Sequence, residues 1–503
     1  LLAKPFADYV AKQVYAAARN AVERQEKIML SLVRDAAHTQ FGKDHDLSNI
    51  NDYAAFKKQI PVRDYEGLRY YIDKMVAGES DVLWKGKPLY LAKTSGTTSG
   101  VKYIPLTKES VPSHINAARN ALLMYVHETR NTDFISGKMI FLQGSPELIE
   151  KNGIKTGRLS GIVYHFVPGY LLRNRMPAYD TNCIEDWETK VDAIAHETLN
   201  ENMSLISGIP PWVLMYFEKL TEITGKKTVQ EIFPSFSLFV YGGVNYEPYR
   251  AKIEAIVGKK IPSIETYPAS EGFIAYQDSQ QAPGLLLNVD AGIFFEFIPA
   301  AEIFDENATR IMLKDVQLDV NYAIIINNNA GLWGYNIGDT VKFVSLSPYR
   351  IVVTGRIKHF ISAFGEHVIG EEVEYALLKA AAEVDAEIVE FTVAPQVTPE
   401  SGLPYHEWFV EFGKQPADME TFAEKVDTYL QEKNIYYKDL IAGKILKPLV
   451  VTLVQPSGFR SYMRSKGKLG GQNKVARLSN DRQIADELKE WRKFDSAGFT
   501  LPY

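Results

Sequence analysis

The stretch Lys93-Thr94-Ser95-Gly96-Thr97-Thr98-Ser99-Gly100-Val101-Lys102-Tyr103-Ile104-Pro105-Leu106-Thr107, KTSGTTSGVKYIPLT, sets the terms for the rest of the chain. Two hydroxyl-rich runs each close on a glycine, and neither can pack a core. They offer hydroxyl donors, with backbone N–H groups that glycine lets approach an anion closely. Lys102 adds a cation just behind them, and a helix is expected to follow Pro105, as in a polyphosphate loop. The P-loop pattern G-x-x-x-x-G-K-[ST] nevertheless fails on spacing: Gly96 and Gly100 are four apart, and Tyr103 follows Lys102. No G-x-G-x-x-G fingerprint, G-x-S-x-G elbow or H-E-x-x-H zinc pattern is present elsewhere. Taken alone, the run is equally a surface loop of Ser, Thr and Gly.

Working outward, PLYLAKTSG reads as a short strand entering the loop. Upstream, Val10, Val14, Ala17, Val22, Ile28, Leu32 and Val33 recur near helical spacing and make residues 1–40 helical. A second helix covers Asp52 to Lys58 before Pro61. Downstream, a helix is expected over Ser110 to Thr129, followed by KMIFLQGS as a buried strand. Helix, short strand (SLISGIP) and helix follow between Glu185 and Glu222. Then come SLFVYGG as a strand ending in glycines, KIEAIVGKK as a helix, and IPSIETYPASEGFIAYQ as strand, loop, strand. This alternation predicts an α/β architecture with an at least partly parallel sheet. From Gly284 to Ser347 the strands GLLLNVDAGIFFEFIPA, YAIIINN and TVKFVSL predict an antiparallel meander or distorted β-barrel. After YRIVVTGRIKHF the texture changes: a helix from about Gly370, then EIVEFTVAP, YHEWFVEF and LVVTLVQP with DMETFAEKVDTYLQEKN between them. The expected organisation is a large N-terminal α/β domain over 1–355 and a small mobile α+β domain over 356–503, with a hinge near 355–364.

Composition narrows the function classes. The chain has 503 residues, of which 46% are hydrophobic and 23% charged, so one or more packed cores are expected. A net charge of −6 argues against a general nucleic-acid binder. The single cysteine, Cys183, excludes an intrachain disulfide and reads as a structural thiol. No apolar run reaches membrane-span length, and the opening LLAKPFADYV lacks the order of a secretory signal; the expected location is cytoplasmic.

Four more stretches carry chemistry. Tyr267-Pro268-Ala269-Ser270-Glu271-Gly272 follows a strand, at the end where α/β proteins place ligands. Its Glu271 suits Mg²⁺, a hard cation that prefers carboxylate and phosphate oxygens, or is an ordinary turn glutamate. Gly334-Tyr335-Asn336-Ile337-Gly338-Asp339 sets an aspartate beside a glycine turn, where it can accept from both hydroxyls of a ribose; a plain turn is the alternative. Gly355-Arg356-Ile357-Lys358-His359-Phe360 puts cations at the domain boundary, as hinge or as solvated turn. SKGKLGGQNKVARL carries Lys466, Lys468, Lys474 and Arg477 in a glycine-rich loop.

The order of these stretches is specific where each alone is weak. It resembles the adenylate-forming superfamily of acyl-CoA synthetases, luciferases and peptide-synthetase adenylation domains. The closer resemblance is to the Gretchen Hagen 3 family of acyl-acid amido synthetases and its bacterial relatives, carried by TSGTTSGVKYIP, YPASE, GLWGYNIGD, GRIKHFISAFGE and GGQNKVARL, with FGKDHDL and YAAFKKQIPVRDYEGL upstream. The resemblance implies that Thr94, Ser95, Gly96, Thr97, Thr98, Ser99, Gly100 and Lys102 form the phosphate loop. It implies Tyr267 and Pro268 along the adenine, Ser270 and Glu271 as the second nucleotide motif with Glu271 on Mg²⁺, and Asp339 on the ribose. Arg356 and Lys358 fall in its hinge motif, and Lys474 matches the lysine that helps adenylation. Ala476 stands where the family often has proline, which puts the rigidity of that loop in question. The acyl pocket is expected between the opening loop and YGGVNYEP, with Arg158, Tyr164, His165 and Phe166 as candidate lining; for Arg158 a structural salt bridge is an equal alternative.

The implied reaction uses ATP and Mg²⁺, releases AMP, and joins a small carboxylic acid to an amine, usually an amino acid. Positioning and electrostatics suffice for it, so no Ser/His/Asp triad is needed. The alternatives are an acyl-CoA ligase or other adenylate-forming transferase and, in another class, a non-catalytic nucleotide- or acyl-acid-binding protein.

Overall fold

The structure, a computed structural model, describes residues 3–95, 101–166, 174–243, 246–305, 307–357, 360–361, 366, 368–442, 445–469, 474–479 and 481–491. It divides into two compact units, Leu1–Val353 and Thr354–Tyr503.

In the first unit, two helices, Ala3–Arg19 and Ala21–Ala36, replace the single helix expected over 1–40. Asn20 makes the break, turning its Nδ2 back to Ala16 O at 3.0 Å while its own backbone leaves the helical region. An asparagine that bonds its local carbonyls competes with helix propagation. The second helix buries Met29, Leu32, Val33 and Ala36, and seats Gln25 on the sheet behind. Gln25 Nε2 donates to Val289 O (3.0 Å) and Ile293 O (2.9 Å), and Oε1 accepts from Phe295 N (2.8 Å).

The residues flanking the opening loop belong to a four-stranded sheet ordered β2-β1-β5-β4: β1 is Tyr90–Ser95, β2 Val101–Leu106, β4 Ile149–Lys151 and β5 Ile154–Gly157. β1 and β2 are antiparallel, with Thr94 opposite Lys102 and Ser95 opposite Val101. The helix expected over Ser110 to Thr129 follows Pro105 only after the strand has ended. VKYIPL continues as a strand, and the helix starts only at Val111, running to Thr129. Pro105 fits because β2 is an edge strand, where a missing N–H breaks no ladder.

The second sheet has twelve strands, ordered β13-β12-β14-β15-β16-β11-β10-β9-β8-β7-β3-β6. In chain order β3 is Lys138–Phe141, β6 Arg175–Met176, β7 Met203–Ser207, β8 Leu238–Gly242, β9 Ser263–Ala269 and β10 Gly272–Tyr276. β11 is Leu285–Leu287, β12 Ile293–Pro299, β13 Ile311–Met312, β14 Asn321–Asn328, β15 Tyr335–Leu346 and β16 Tyr349–Arg356. From β6 through β9 the pairing is parallel, and at the β9–β10 hairpin it becomes antiparallel. The strands expected as an antiparallel meander or distorted barrel do pair antiparallel and continue the parallel sheet, and no pairing among the described residues joins its two ends. β12 and β14 are buried along nearly their whole length, which requires cover on both faces.

In the second unit, β19 (Glu387–Gln396), β20 (Tyr405–Lys414) and β21 (Val450–Val454) form one sheet, β19/β20 antiparallel and β20/β21 parallel. The helices Gly370–Glu383 and Met419–Lys433 pack their apolar residues, among them Leu377, Phe422 and Leu430, with Phe391, Trp408 and Val410 of that sheet.

Candidate functional site

β1 and β2 pair as far as Ser95 opposite Val101; Gly96, Thr97, Thr98, Ser99 and Gly100 lie outside the described residues. Thr94 is half-buried on β1. Lys102 is half-buried on β2, with Nζ 5.4 Å from the Tyr65 ring centroid, while the Tyr65 hydroxyl accepts from Tyr103 N at 3.0 Å. The hairpin is therefore anchored on the helix Tyr65–Val76, and no helix N-terminus follows the loop directly.

Ser270 and Glu271 are the two-residue turn between β9 and β10, and both are half-buried. Gly272 follows because a Cβ there would lie 2.5 Å from Ile293 Cδ1. Tyr267 is buried on β9, and its hydroxyl donates to Asp339 Oδ2 at 2.6 Å. Pro268 is exposed beside it. The YPASE and GYNIGD motifs, 72 residues apart at this contact, meet through that bond.

A short network fixes the corner. Asn328 Nδ2 donates to Glu271 O at 2.7 Å, and Asn328 Oδ1 accepts from Ala330 N and Leu332 N, both at 3.0 Å. Its neighbour Asn327 accepts from Gly334 N at 2.6 Å and donates to Glu296 Oε2 at 2.8 Å, and Glu296 pairs with buried Arg310 at 2.5 Å. Gly334 has φ +55°, and a Cβ there would meet Pro61 O at 2.3 Å, so only glycine fits. Arg63 N donates to Gly334 O (2.8 Å) and Asn336 N to Arg63 O (2.7 Å), which ties IPVR to the start of GYNIGD. Adjacent asparagines on opposite faces of β14 thus hold the third and second motifs respectively. Sequence reasoning passed over them; the available signal was an asparagine run closing the apolar YAIII, a place where buried amides need work to do.

Arg356 ends β16 and is exposed; it belongs to the second unit, and Lys358 lies outside the described residues. Lys474 is exposed in the same unit. The residues after it are stitched to β19: Thr392 Oγ1 donates to Ala476 O (2.6 Å), Val393 N to Arg477 O (2.9 Å), and Ser479 N to Val393 O (3.1 Å). Arg477 pairs with Glu374 and stacks 4.8 Å over the Phe391 ring. Hydrogen bonds to a strand edge restrain the backbone around Ala476.

The four residues nominated for the acyl pocket share one turn, but their contacts diverge. Arg158 precedes the helix Leu159–Tyr164 and packs on Gly144, where a Cβ would sit 2.6 Å from Arg158 Cδ. It makes no ion pair with a described residue. Tyr164 stacks under the Arg175 guanidinium at 3.9 Å. His165 is exposed, with Nε2 at 3.0 Å from Pro146 O, and Phe166 meets Tyr90 edge-on at 5.5 Å.

Comparison with known proteins places this arrangement. The fold matches AtGH3.15 acyl acid amido synthetase in complex with 2,4-DB, with a TM-score of 0.79 over 97% of this chain and 96% of that one at 17% identity. It also matches a 2-hydroxyisobutyryl-CoA ligase in the postadenylation state, with a TM-score of 0.56 over 95% and 91% of the two chains at 12% identity. The chain shares its fold with both. Models of the GH3 family N-terminal, central and C-terminal domains match residues 10–178, 286–356 and 371–483, and the chain belongs to the GH3 family. A jasmonoyl–L-amino acid synthetase, JAR4, of Nicotiana attenuata is 23% identical over 64% of this chain and 67% of its own length. An indole-3-acetic acid-amido synthetase, GH3.3, of Arabidopsis thaliana is 21% identical over 93% and 91%.

Proposed function

We propose that this GH3-family chain is an ATP-dependent acyl-acid amido synthetase that activates a carboxylic acid as its acyl-adenylate and passes the acyl group to an amine, with an amino acid as acceptor class. The observation that carries this is the bond from Tyr267 to Asp339 at 2.6 Å, because it joins two motifs at the carboxyl end of the last parallel strand. The names of relatives, a jasmonoyl–L-amino acid synthetase and an indole-3-acetic acid-amido synthetase, support the acceptor class.

A carboxylate is a poor acyl donor because its oxygen leaves badly. In the first step a carboxylate oxygen attacks the α-phosphorus of ATP, the bond to the β-phosphate oxygen breaks, and pyrophosphate leaves. In the second step the amine nitrogen attacks the acyl carbon, AMP leaves, and the amine gives up a proton. The residues 94–100 and Lys102 are assigned to the phosphates, Tyr267 and Pro268 to the adenine, Ser270 to the second nucleotide motif and Asp339 to the ribose. Arg356 and Lys358 are assigned to the hinge, and Lys474 to the adenylation step. No group of three or more His, Cys, Asp or Glu able to hold a metal occurs among the described residues. A single carboxylate fits Mg²⁺ nonetheless, since that ion binds through one or two carboxylates plus substrate phosphates; Glu271 would hold it. When bound it would neutralise phosphate charge as the first step proceeds.

No helix among the described residues is long and apolar enough to cross a membrane. A cytoplasmic location is part of the same proposal. The acid is identified by screening a panel of carboxylic acids for pyrophosphate release, and the acceptor by screening amino acids and coenzyme A against the best acid. An amide product is expected; a product formed only with coenzyme A overturns the amide assignment in favour of an acyl-CoA ligase.

A further inference from the structure

Three arginines are buried among the described residues: Arg175, Arg310 and Arg350. Arg310 is paired with Glu296, and Arg350 with Asp278, each partner fully buried. Arg175 is different. It is 8% exposed, yet its Nε and Nη1 are buried without a hydrogen-bond partner. Its guanidinium carbon lies 3.9 Å from the Tyr164 ring centroid and 5.0 Å from that of Phe141. Burial pushes its pKa down to about 10, and only the neighbouring Tyr164 opposes that shift. A buried charge without a counter-charge is costly, and ring faces offset only part of the loss.

The surroundings repeat the pattern. Lys190 is 2% exposed, and its Nζ donates to two carbonyl oxygens, Gln143 O (3.0 Å) and Asn182 O (2.5 Å). Burial, helped by nearby Arg158, lowers its pKa to about 8. The side-chain Nε2 of Gln143 and both polar side-chain atoms of Asn182 are buried without partners. Arg158, Arg175 and Lys190 therefore gather near the carboxyl end of β3, and none is ion-paired with a described residue. Topology singles out the same place. β3 lies between β6 and β7, so the chain leaves β3 towards one side and returns on the other. In open α/β sheets such a switch point opens a crevice at the strands' carboxyl ends.

We propose that the carboxyl end of β3 holds an oxyanion-binding subsite with Arg175 as its receptor. A carboxylate or phosphate group supplies both the acceptors that Nε and Nη1 lack and the missing negative charge. β6 stands four strands from β9, about 19 Å at ordinary strand spacing. An anion there is not the carboxylate of a short acid reacting beside Glu271, so the subsite is separate from the proposed nucleotide corner and does not depend on it. The oxyanion is either the far end of a long acyl acid or a free inorganic anion.

The test uses the full chain and the variant Arg175→Met, which keeps the bulk and removes the charge. Inorganic phosphate and the ten-carbon dicarboxylate sebacate are titrated against both, with the monocarboxylate decanoate as control. The wild-type melting point is expected to rise saturably, by about 2 °C or more at tenfold excess over half-saturation, with at least one of the two probes. Arg175→Met is expected to melt no lower than wild type in anion-free buffer and to show no such rise. A response to phosphate alone identifies a free anion; a response to sebacate at lower concentration than to decanoate, which has a carboxylate at one end only, identifies the far end of an acyl acid. One outcome overturns the proposal outright: no saturable response of the wild type to either probe. An equal response in folded wild type and variant overturns Arg175 as the receptor.

Discussion

Two corners of the first unit treat buried polarity in opposite ways. Where β9, β14 and β15 meet, polar side chains bond to one another: Tyr267 to Asp339, Asn328 to the Glu271 carbonyl, Asn327 to Gly334 and Glu296. At the carboxyl end of β3, cations and amides are buried with donors to spare. The first corner is preorganised, holding its backbone before any ligand arrives, as the proposed nucleotide site requires. The second is left incomplete, as suits a place whose ligand brings the missing half.

Substitutions can break this contrast from the first side, and their expected effects fall in a definite order. Glu271→Ala should lower Mg²⁺-dependent adenylation by about 100-fold or more, with the fold intact by circular dichroism. Unchanged pyrophosphate release at saturating Mg²⁺ removes Glu271 from the metal site. Asp339→Ala should raise the KM for ATP by about 30-fold, the equivalent of about 2 kcal/mol of lost charged hydrogen bonding. A normal KM places the ribose elsewhere. Asn328→Ala removes bonds to three backbone groups and should slow adenylation by about tenfold while destabilising folding by about 2–4 kcal/mol. Urea unfolding and single-turnover kinetics separate the two effects, and a variant that is unstable yet fully active denies Asn328 a part in positioning Glu271. The smallest effect is expected for Thr392→Val, which loses one bond to Ala476 O, about 1 kcal/mol, and should slow adenylation by about fivefold through the segment that carries Lys474. No change in rate shows that this stitch does not position the lysine.

Local pattern carried most of the elements. The strand into the opening loop, the helix ending at Thr129 and the strand–turn–strand around Ser270-Glu271 lie where periodicity and breakers put them. The motif order, with its resemblance, supplied the family that the domain matches now show. What stayed hidden was non-local. That Pro105 lies within β2 was not legible locally, because its tolerance there depends on which strand is at the edge. The union of the antiparallel strands from Leu285 onward with β10 and β9 is made by pairing and leaves no mark in the sequence. Asn327 and Asn328 carry no motif, and their importance follows from backbone groups that only the fold brings near. Arg175 looks like any arginine until it is found buried with no carboxylate beside it.

The most direct test of the central claim is acid-dependent ATP–pyrophosphate exchange, measured across a broad panel of carboxylic acids for the wild-type chain and Asp339→Ala. The account predicts exchange with at least one acid in the wild type, and a loss in the variant that high ATP partly restores. ATP binding by calorimetry with no exchange for any acid would contradict it, as would undiminished exchange in Asp339→Ala.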